Sequence, residues 1–320
     1  MRPVLITGAA GNLGGLLARH MQSAGYPLRL MFHKTPLALE IAQAANVTAV
    51  QADLADMQSL RRAVAGSDVV VHFAGRLFAP RPERFLPETN TRWFSNLLDV
   101  CLRARVGRVV LISFPHVEGP TSVEHPATGR LDRQPISVHA QTRLEEERLL
   151  FAKTEGSATV PAVLRLGMVY GSGILMIDAA RWLARRHLLG VWREPTWVHL
   201  LSKVDFLHAT EAAIVKQGVR GTYHLGDEQP VTLQQFLDAA CRVWGVAPPM
   251  RLPVWSIVTA ARLCEIFATM TGSASPLTRD FIQIGRVSYW GDTRRAREEL
   301  IPSLVYPTLE SGVHTLAVES

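Results

Sequence analysis

The residues with the clearest chemical implication lie near the start of the 320-residue chain, in the run Thr7-Gly8-Ala9-Ala10-Gly11-Asn12-Leu13-Gly14. Val4-Leu5-Ile6 before it reads as a short buried strand, and Leu13 to Ser23 after it reads as a helix. Gly8 and Gly11 let the backbone turn tightly and approach a pyrophosphate with no Cβ in the way. Gly14 lets the helix pack close to the sheet. The helix N-terminus then offers unpaired N–H groups and partial positive charge to the phosphates. Glycines at this spacing, between a strand and a helix, form a dinucleotide-binding fingerprint.

Three further runs bear on the same ligand. Asp53-Leu54 follows a strand-like segment, and a carboxylate there can accept a hydrogen bond from an adenine amino group. Asp53 or Asp56 can equally cap a helix that starts at Met57. His72-Phe73-Ala74-Gly75 ends another strand, and its small residues leave room for a ribose. His33-Lys34 stands where an Asp or Glu would bind the adenosine ribose and repel a 2′-phosphate. A basic pair does the reverse, so the expected cofactor is NADP(H), with NAD(H) as the alternative.

The elements that must position these residues alternate in type. Strand-like runs at 4–6, 28–32, 47–51, 69–73, 108–112 and 162–166 are separated by helical patterns at 13–23, 36–45, 57–65, 88–105 and 141–151. This order predicts an α/β fold with a doubly wound parallel sheet and helices on both faces. Past Gly171 the pattern loosens. Trp182, Trp192 and Trp197 occur among Arg181, Arg185, Arg186 and Arg193. They read as core anchors under a solvated basic face, or else as a site for an anionic substrate or a membrane surface. Helical patterns return at 233–243 and 253–270.

Composition bounds the rest. The chain is 48% apolar and 19% charged, which supports a large core and argues against disorder. The net charge of +6 is spread along the chain and suits a small anionic ligand; no nucleic-acid-binding motif accompanies it. Cys101, Cys241 and Cys264 are far apart, with neither a metal-site spacing nor a disulfide framework, as expected for reduced thiols in a cytoplasmic protein. The chain enters a strand directly after Met1-Arg2-Pro3, with no signal peptide in view. The apolar stretch from Val254 to Met270 is interrupted by Arg262 and Glu265, and is expected to be too short and too charged to span a bilayer.

Taken together, the motifs resemble the extended short-chain dehydrogenase/reductases, the group that includes sugar-nucleotide epimerases, dehydratases and 3β-hydroxysteroid-type dehydrogenases. The matching segments are the turn at 7–14, Asp53-Leu54, Val70-Val71-His72-Phe73-Ala74-Gly75, Asn90, and Arg165-Leu166-Gly167-Met168-Val169-Tyr170-Gly171. Gly221-Thr222-Tyr223-His224-Leu225 and Asp292-Thr293-Arg294-Arg295-Ala296 are similar to later landmarks of the group. The resemblance implies a Rossmann-like core over 1–170, with a returning strand near 197–225. It also implies a smaller C-terminal substrate-binding region from 171–196 and 226–320. It assigns cofactor contacts to Thr7, Gly8, Gly11, Asn12, Leu13, Gly14, His33, Lys34, Asp53, Leu54, Phe73, Ala74, Gly75 and Arg143. A homodimer through helices at 88–105 and 141–151 is implied as well.

At the catalytic positions the resemblance changes chemistry. The family places a Ser or Thr after the fifth strand and Tyr-x-x-x-Lys on the next helix. Here the hydroxyl position falls on Phe114, with Ser113 beside it, and the helix reads His139-Ala140-Gln141-Thr142-Arg143. Imidazole titrates near neutral pH, so His139 is the expected acid–base group. Arg143 is expected to hold the nicotinamide ribose, and Ser113 to bind the carbonyl oxygen; His116 is a weaker candidate. Three functions stay open: an oxidoreductase acting on a small, partly hydrophobic carbonyl or alcohol, with the substrate under the helix at 253–270; an epimerase, dehydratase or isomerase with no net hydride transfer; and a catalytically silent nucleotide-sensing or assembly protein.

Overall fold

In the computed structural model, which describes residues 2–75, 81–271, 275 and 277–317, the strands and helices alternate as expected. The chain runs β1 (Val4–Thr7), α1 (Asn12–Ser23), β2 (Leu28–Phe32), α2 (Leu39–Ala42), β3 (Val47–Gln51), α3 (Met57–Val64) and β4 (Val69–His72). It continues through a π-helical turn (Pro87–Arg92), α4 (Trp93–Arg103), β5 (Arg108–Ser113), α5 (Val138–Thr154) and β6 (Val160–Leu166). The later elements are β7 (Met168–Tyr170), α6 (Leu175–Ala184), β8 (Gly190–Trp192), β9 (Trp197–Val198), β10 (Leu200–Ser202), α7 (Lys203–Val215), β11 (Gly221–Leu225), β12 (Val231–Thr232), α8 (Leu233–Val243), β13 (Met250–Leu252), α9 (Val254–Thr271) and α10 (Arg279–Gly285).

Seven strands form the central sheet in the order β11-β6-β5-β4-β1-β2-β3, all parallel. The order reverses at β1. The chain steps outward through β2 and β3, then returns to place β4 on the other side of β1. The carboxyl ends of β1 and β4 thus open a crevice at a topological switch point, and the glycine turn leaves β1 there.

Strand alternation divides the core. In β1, Val4 and Ile6 join the apolar cluster on one face, and Leu5 joins the cluster on the other. In β5, Val110 and Ile112 face the first cluster, Val109 and Leu111 the second. The first cluster takes in Leu17 and Met21 of α1 and Phe206 and Ala213 of α7. The second takes in Leu60 of α3, Leu97, Leu98 and Cys101 of α4 and Leu150 of α5.

Three expectations change. The helix expected at 36–45 is only the short Leu39–Ala42, and its N-cap Ala38 supplies no side-chain acceptor. Of the tryptophans expected as core anchors, Trp192 is buried, but Trp182 and Trp197 are exposed, with the Arg186 guanidinium 3.9 Å over the Trp182 ring. Helix α9 has 18 residues, and by length and composition alone meets the requirement for a membrane span, contrary to the expectation. Ile257, Ala261, Glu265 and Ala268 are buried along one side of it, while Trp255, Leu263, Phe267 and Met270 stand exposed.

Candidate active site

Sterics impose glycine in the turn after β1. Gly8 has φ +70°, and a Cβ on it would lie 3.0 Å from the Ala74 nitrogen at the end of β4. The Gly11 amide donates to the Gly8 carbonyl at 2.8 Å, and Gly11 caps α1 with no side-chain acceptor over the first amides. A Cβ on Gly14 would sit 2.4 Å from the Gly8 carbonyl oxygen. Gly14 therefore serves the closure of the turn itself, a tighter requirement than the helix–sheet contact expected of it.

Several expected cofactor residues stand behind this turn. The buried Thr7 hydroxyl lies 2.8 Å from His72 Nδ1 and accepts from the Ala74 amide at 3.4 Å, tying β1 to β4. Burial pushes the His72 imidazole down to about 3, so it is neutral. Asn12 Nδ2 donates to the Gly173 carbonyl at 2.7 Å, and its Oδ1 accepts from the Leu175 amide at 2.9 Å, which fastens the turn to the start of α6. Leu13 packs on the apolar core, and Phe73 meets the Phe206 ring edge-on.

In front of the turn is a cleft of about 480 Å³. Gly8, Gly11, Ala74 and Gly75 form its floor, and His33, Lys34, Asp53 and Leu54 line it from the ends of β2 and β3. Asp56 is the cap of α3, accepting from the Gln58 amide at 2.9 Å and the Ser59 amide at 3.2 Å. This leaves Asp53 for the cleft. One of its oxygens accepts from the Ala55 amide at 2.9 Å, and the other lies 3.3 Å from His33 Nε2. Thr35, Thr89 and Trp93 also line the cleft and were not expected.

Helix α5 approaches the cleft at Gly75 through Arg143. Ser137 caps it, accepting from the Ala140 amide at 3.3 Å. His139, Arg143 and Glu146 recur at i, i+4 and i+7, so they form one stripe on this helix. The guanidinium of Arg143 reaches Gly75, where an added Cβ would come within 3.1 Å of Nη2. Its Nη1 is charge-paired with Glu146 Oε2 at 2.7 Å, off the alignment of a hydrogen bond. Burial drives the Glu146 carboxyl up to about 7, while Arg143 pulls it back down. Nδ1 of His139 lies 2.8 Å from Asp280 Oδ2 of α10, and both side chains are nearly buried, at 12% and 10% exposure. Asp280 was not expected; no local pattern connects positions 141 residues apart.

Asn90 sits buried in the π-helical turn, an irregularity common at functional sites. Its Nδ2 donates to Thr142 Oγ1 at 3.1 Å. Asn90 Oδ1 and Thr89 Oγ1 are buried without hydrogen-bond partners among the described residues, and Asn90 Oδ1 would be 3.9 Å from a Cβ on Gly75. Unmet acceptors beside a bare glycine and a guanidinium fit a hydroxyl-rich group such as a ribose.

Ser113 has a different setting. Its buried hydroxyl donates to Glu147 Oε1 at 2.5 Å. Glu147 in turn accepts from Arg165, which is fully buried and also pairs with Glu118. Glu118 accepts from the Gly129 amide at 2.6 Å and the Arg130 amide at 3.0 Å. The Ser113 proton is thus occupied by a network that welds β5, β6, α5 and the 128–130 loop together. The His116 ring meets Phe114 edge-on and lies tilted against Tyr289, and burial takes it down to about 3. Among the described residues no group of three potential metal ligands occurs.

Residues 4–215 match the NAD dependent epimerase/dehydratase family. The 2-alkyl-3-oxoalkanoate reductase of Stenotrophomonas maltophilia (strain K279a) is 30% identical over 341 residues, covering 99% of each chain. The ceramide reductase of Caulobacter vibrioides (strain NA1000 / CB15N) is 24% identical over 278 residues, covering 85% of this chain and 80% of that protein. Among solved structures, MoeE5 in complex with UDP-glucuronic acid and NAD superposes with a TM-score of 0.76 at 20% identity, covering 98% of this chain and 97% of that one. This last likeness shows the Rossmann-like fold. With the glycine turn, the cleft and the full-length match in hand, the chain belongs to the NAD-dependent epimerase/dehydratase family, as an enzyme of the short-chain dehydrogenase/reductase type.

Proposed function

We propose that the protein is an NADP(H)-dependent reductase of a ketone on a small substrate with alkyl chains, and that His139 is its acid–base residue. The observation that carries this reading is the stripe on α5: Arg143 reaches the cleft floor at Gly75, and His139, one turn earlier, is anchored through Nδ1. When bound, the nicotinamide supplies the hydride. The chain's own residues do the rest. Gly8, Gly11 and the first amides of α1 hold the pyrophosphate. His33 and Lys34 meet a 2′-phosphate, with Asp53 close enough to orient the His33 ring. Asn90 and Arg143 offer an acceptor and a donor to the ribose. His139 gives a proton to the developing alkoxide and takes one back from water. Ser113 stabilises the α5–β6 network from which Arg143 projects.

The substrate class draws on the relatives. The two reductases are named for an alkyl-branched oxoalkanoate and for ceramide, both apolar in part. The exposed apolar face of α9 suits such a ligand better than a bare sugar nucleotide. The test is NADPH oxidation with a 2-alkyl-3-oxoalkanoate, with NADH in parallel. Turnover with NADPH in preference to NADH supports the proposal. Tight NADPH binding with no turnover on a panel of oxo acids and long-chain ketones overturns it in favour of a silent nucleotide-binding protein.

A further inference from the structure

We propose that Asp280 is the positioning residue of the acid–base step: it fixes which nitrogen of His139 exchanges the proton. The inference rests on the reading of His139 given above and adds a partner from a different part of the chain.

A neutral imidazole has one N–H and one lone pair, and its neighbours decide which nitrogen carries which. Asp280 Oδ2 lies 2.8 Å from Nδ1. A carboxylate is an acceptor, so Asp280 favours the neutral tautomer with the proton on Nδ1. In the protonated ring Nδ1 keeps its hydrogen bond, and Nε2 carries the proton that can leave. Nε2 is then the nitrogen that exchanges the proton in both directions: Nε2–H is broken as the substrate O–H forms, and Nδ1 stays with Asp280. The low exposure of both side chains limits competition from water for this contact.

The carboxylate is itself held in place. Asp280 is in the first turn of α10, which Thr278 caps by accepting from the Phe281 amide at 3.2 Å. Its neighbour Arg279 donates from the backbone amide to Glu265 Oε1 at 2.8 Å, and from Nε to Glu265 Oε2 at 2.7 Å. Glu265 is one of the buried residues of α9. The C-terminal region therefore completes the acid–base group on α5. A family tyrosine needs no such partner to choose its titrating atom, since a phenol has only one.

The test uses the full chain with ring-15N-labelled histidine, and a His139→Gln spectrum to assign the His139 signals. The wild type is expected to show the Nδ1-protonated neutral ring. Asp280→Asn, whose amide can donate to Nδ1, should move His139 toward the Nε2-protonated form. It should also lower kcat for NADPH-dependent reduction of a 2-alkyl-3-oxoalkanoate by roughly 10²–10⁴-fold, with NADPH affinity within about twofold, about 0.4 kcal/mol. Asp280→Glu should recover most of kcat and the wild-type ring signals. A ring spectrum unchanged in Asp280→Asn, or an unchanged kcat, overturns the assignment. If the wild type turns over no substrate, the reductase reading fails separately, and the ring spectrum alone decides the role of Asp280.

Discussion

Arg143 and Glu146 face each other one turn apart on α5 at 2.7 Å, the guanidinium nearly buried and the carboxyl fully so. On the proposed reading, the pair holds in place the arginine that stands where the family has a lysine. The added bulk of the guanidinium is pinned at one end by Glu146, and the other end is left at Gly75. An Arg fork held in this way offers donors in a fixed plane, which a lysine ammonium does not.

The pair has a pH signature. Burial raises Glu146 to about 7 from an ordinary 4.5. Below pH 4.5 the carboxyl is protonated whether the chain is folded or not, and its contribution to stability is complete. As pH rises from 4.5 through 7, the unfolded chain loses the proton first and that contribution declines. The stability of the wild type relative to Glu146→Gln should therefore fall across this window and level off above it, as read by urea unfolding of both proteins at several pH values. A difference that stays constant from pH 4.5 to 7.5 would contradict the burial argument.

The turn glycines should differ sharply in tolerance. A Cβ on Gly14 meets the Gly8 carbonyl oxygen at 2.4 Å, whereas one on Gly15 meets the Ala9 oxygen at 3.2 Å. Gly14→Ala should cost about 1–3 kcal/mol in stability and abolish detectable NADPH binding in a fluorescence titration. Gly15→Ala should bind NADPH within a few-fold of wild type. Equal effects would place the constraint outside the turn.

Cofactor choice should follow the residues after β2. Lys34 lines the cleft beside His33, whose Nε2 lies 3.3 Å from an Asp53 carboxylate oxygen. Lys34→Glu puts a carboxylate where a 2′-phosphate would lie. It should weaken NADPH by about tenfold or more, at least 1.4 kcal/mol, and change NADH by less than about threefold. Calorimetric titration of both nucleotides checks this, and equal losses for the two would remove Lys34 from the 2′-phosphate site.

Buried histidines set the acid limit of the fold. Burial lowers His72, His116 and His224 to about 3 and His199 to about 4. Each is held neutral in the folded chain, so its contribution is complete above the unfolded value of 6.5 and is lost as pH falls toward 3–4. Denaturant unfolding should show stability declining from pH 6.5 to 5.5, in a range where surface carboxylates are still largely ionised. A flat profile there would be inconsistent with neutral buried rings.

Local rules made much of the site legible in the sequence. The glycine turn, the strands at 28–32 and 47–51, and the positions of His33, Lys34 and Asp53 all follow from periodicity and turn chemistry. The choice between Asp53 and Asp56 as a helix cap needed the structure, because both precede α3 at workable spacing. The Arg143–Glu146 pair was present in the i, i+3 spacing but competed with Glu147, which lies one residue further on and turns instead to Arg165. The Ser113 hydroxyl, expected to meet a carbonyl, donates to that same Glu147, a contact fixed by packing between β5 and α5. The partner of His139 lay beyond any local rule, since only the return of α10 against α5 brings Asp280 into reach.

Proton transfer by His139 separates a working reductase from a silent nucleotide-binding protein. The most direct measurement compares wild type and His139→Gln for NADPH oxidation with a 2-alkyl-3-oxoalkanoate, with NADPH affinity measured on the same samples. The account predicts a fall in kcat of roughly 10²–10⁴-fold with affinity nearly unchanged. Turnover by His139→Gln at the wild-type rate would contradict it.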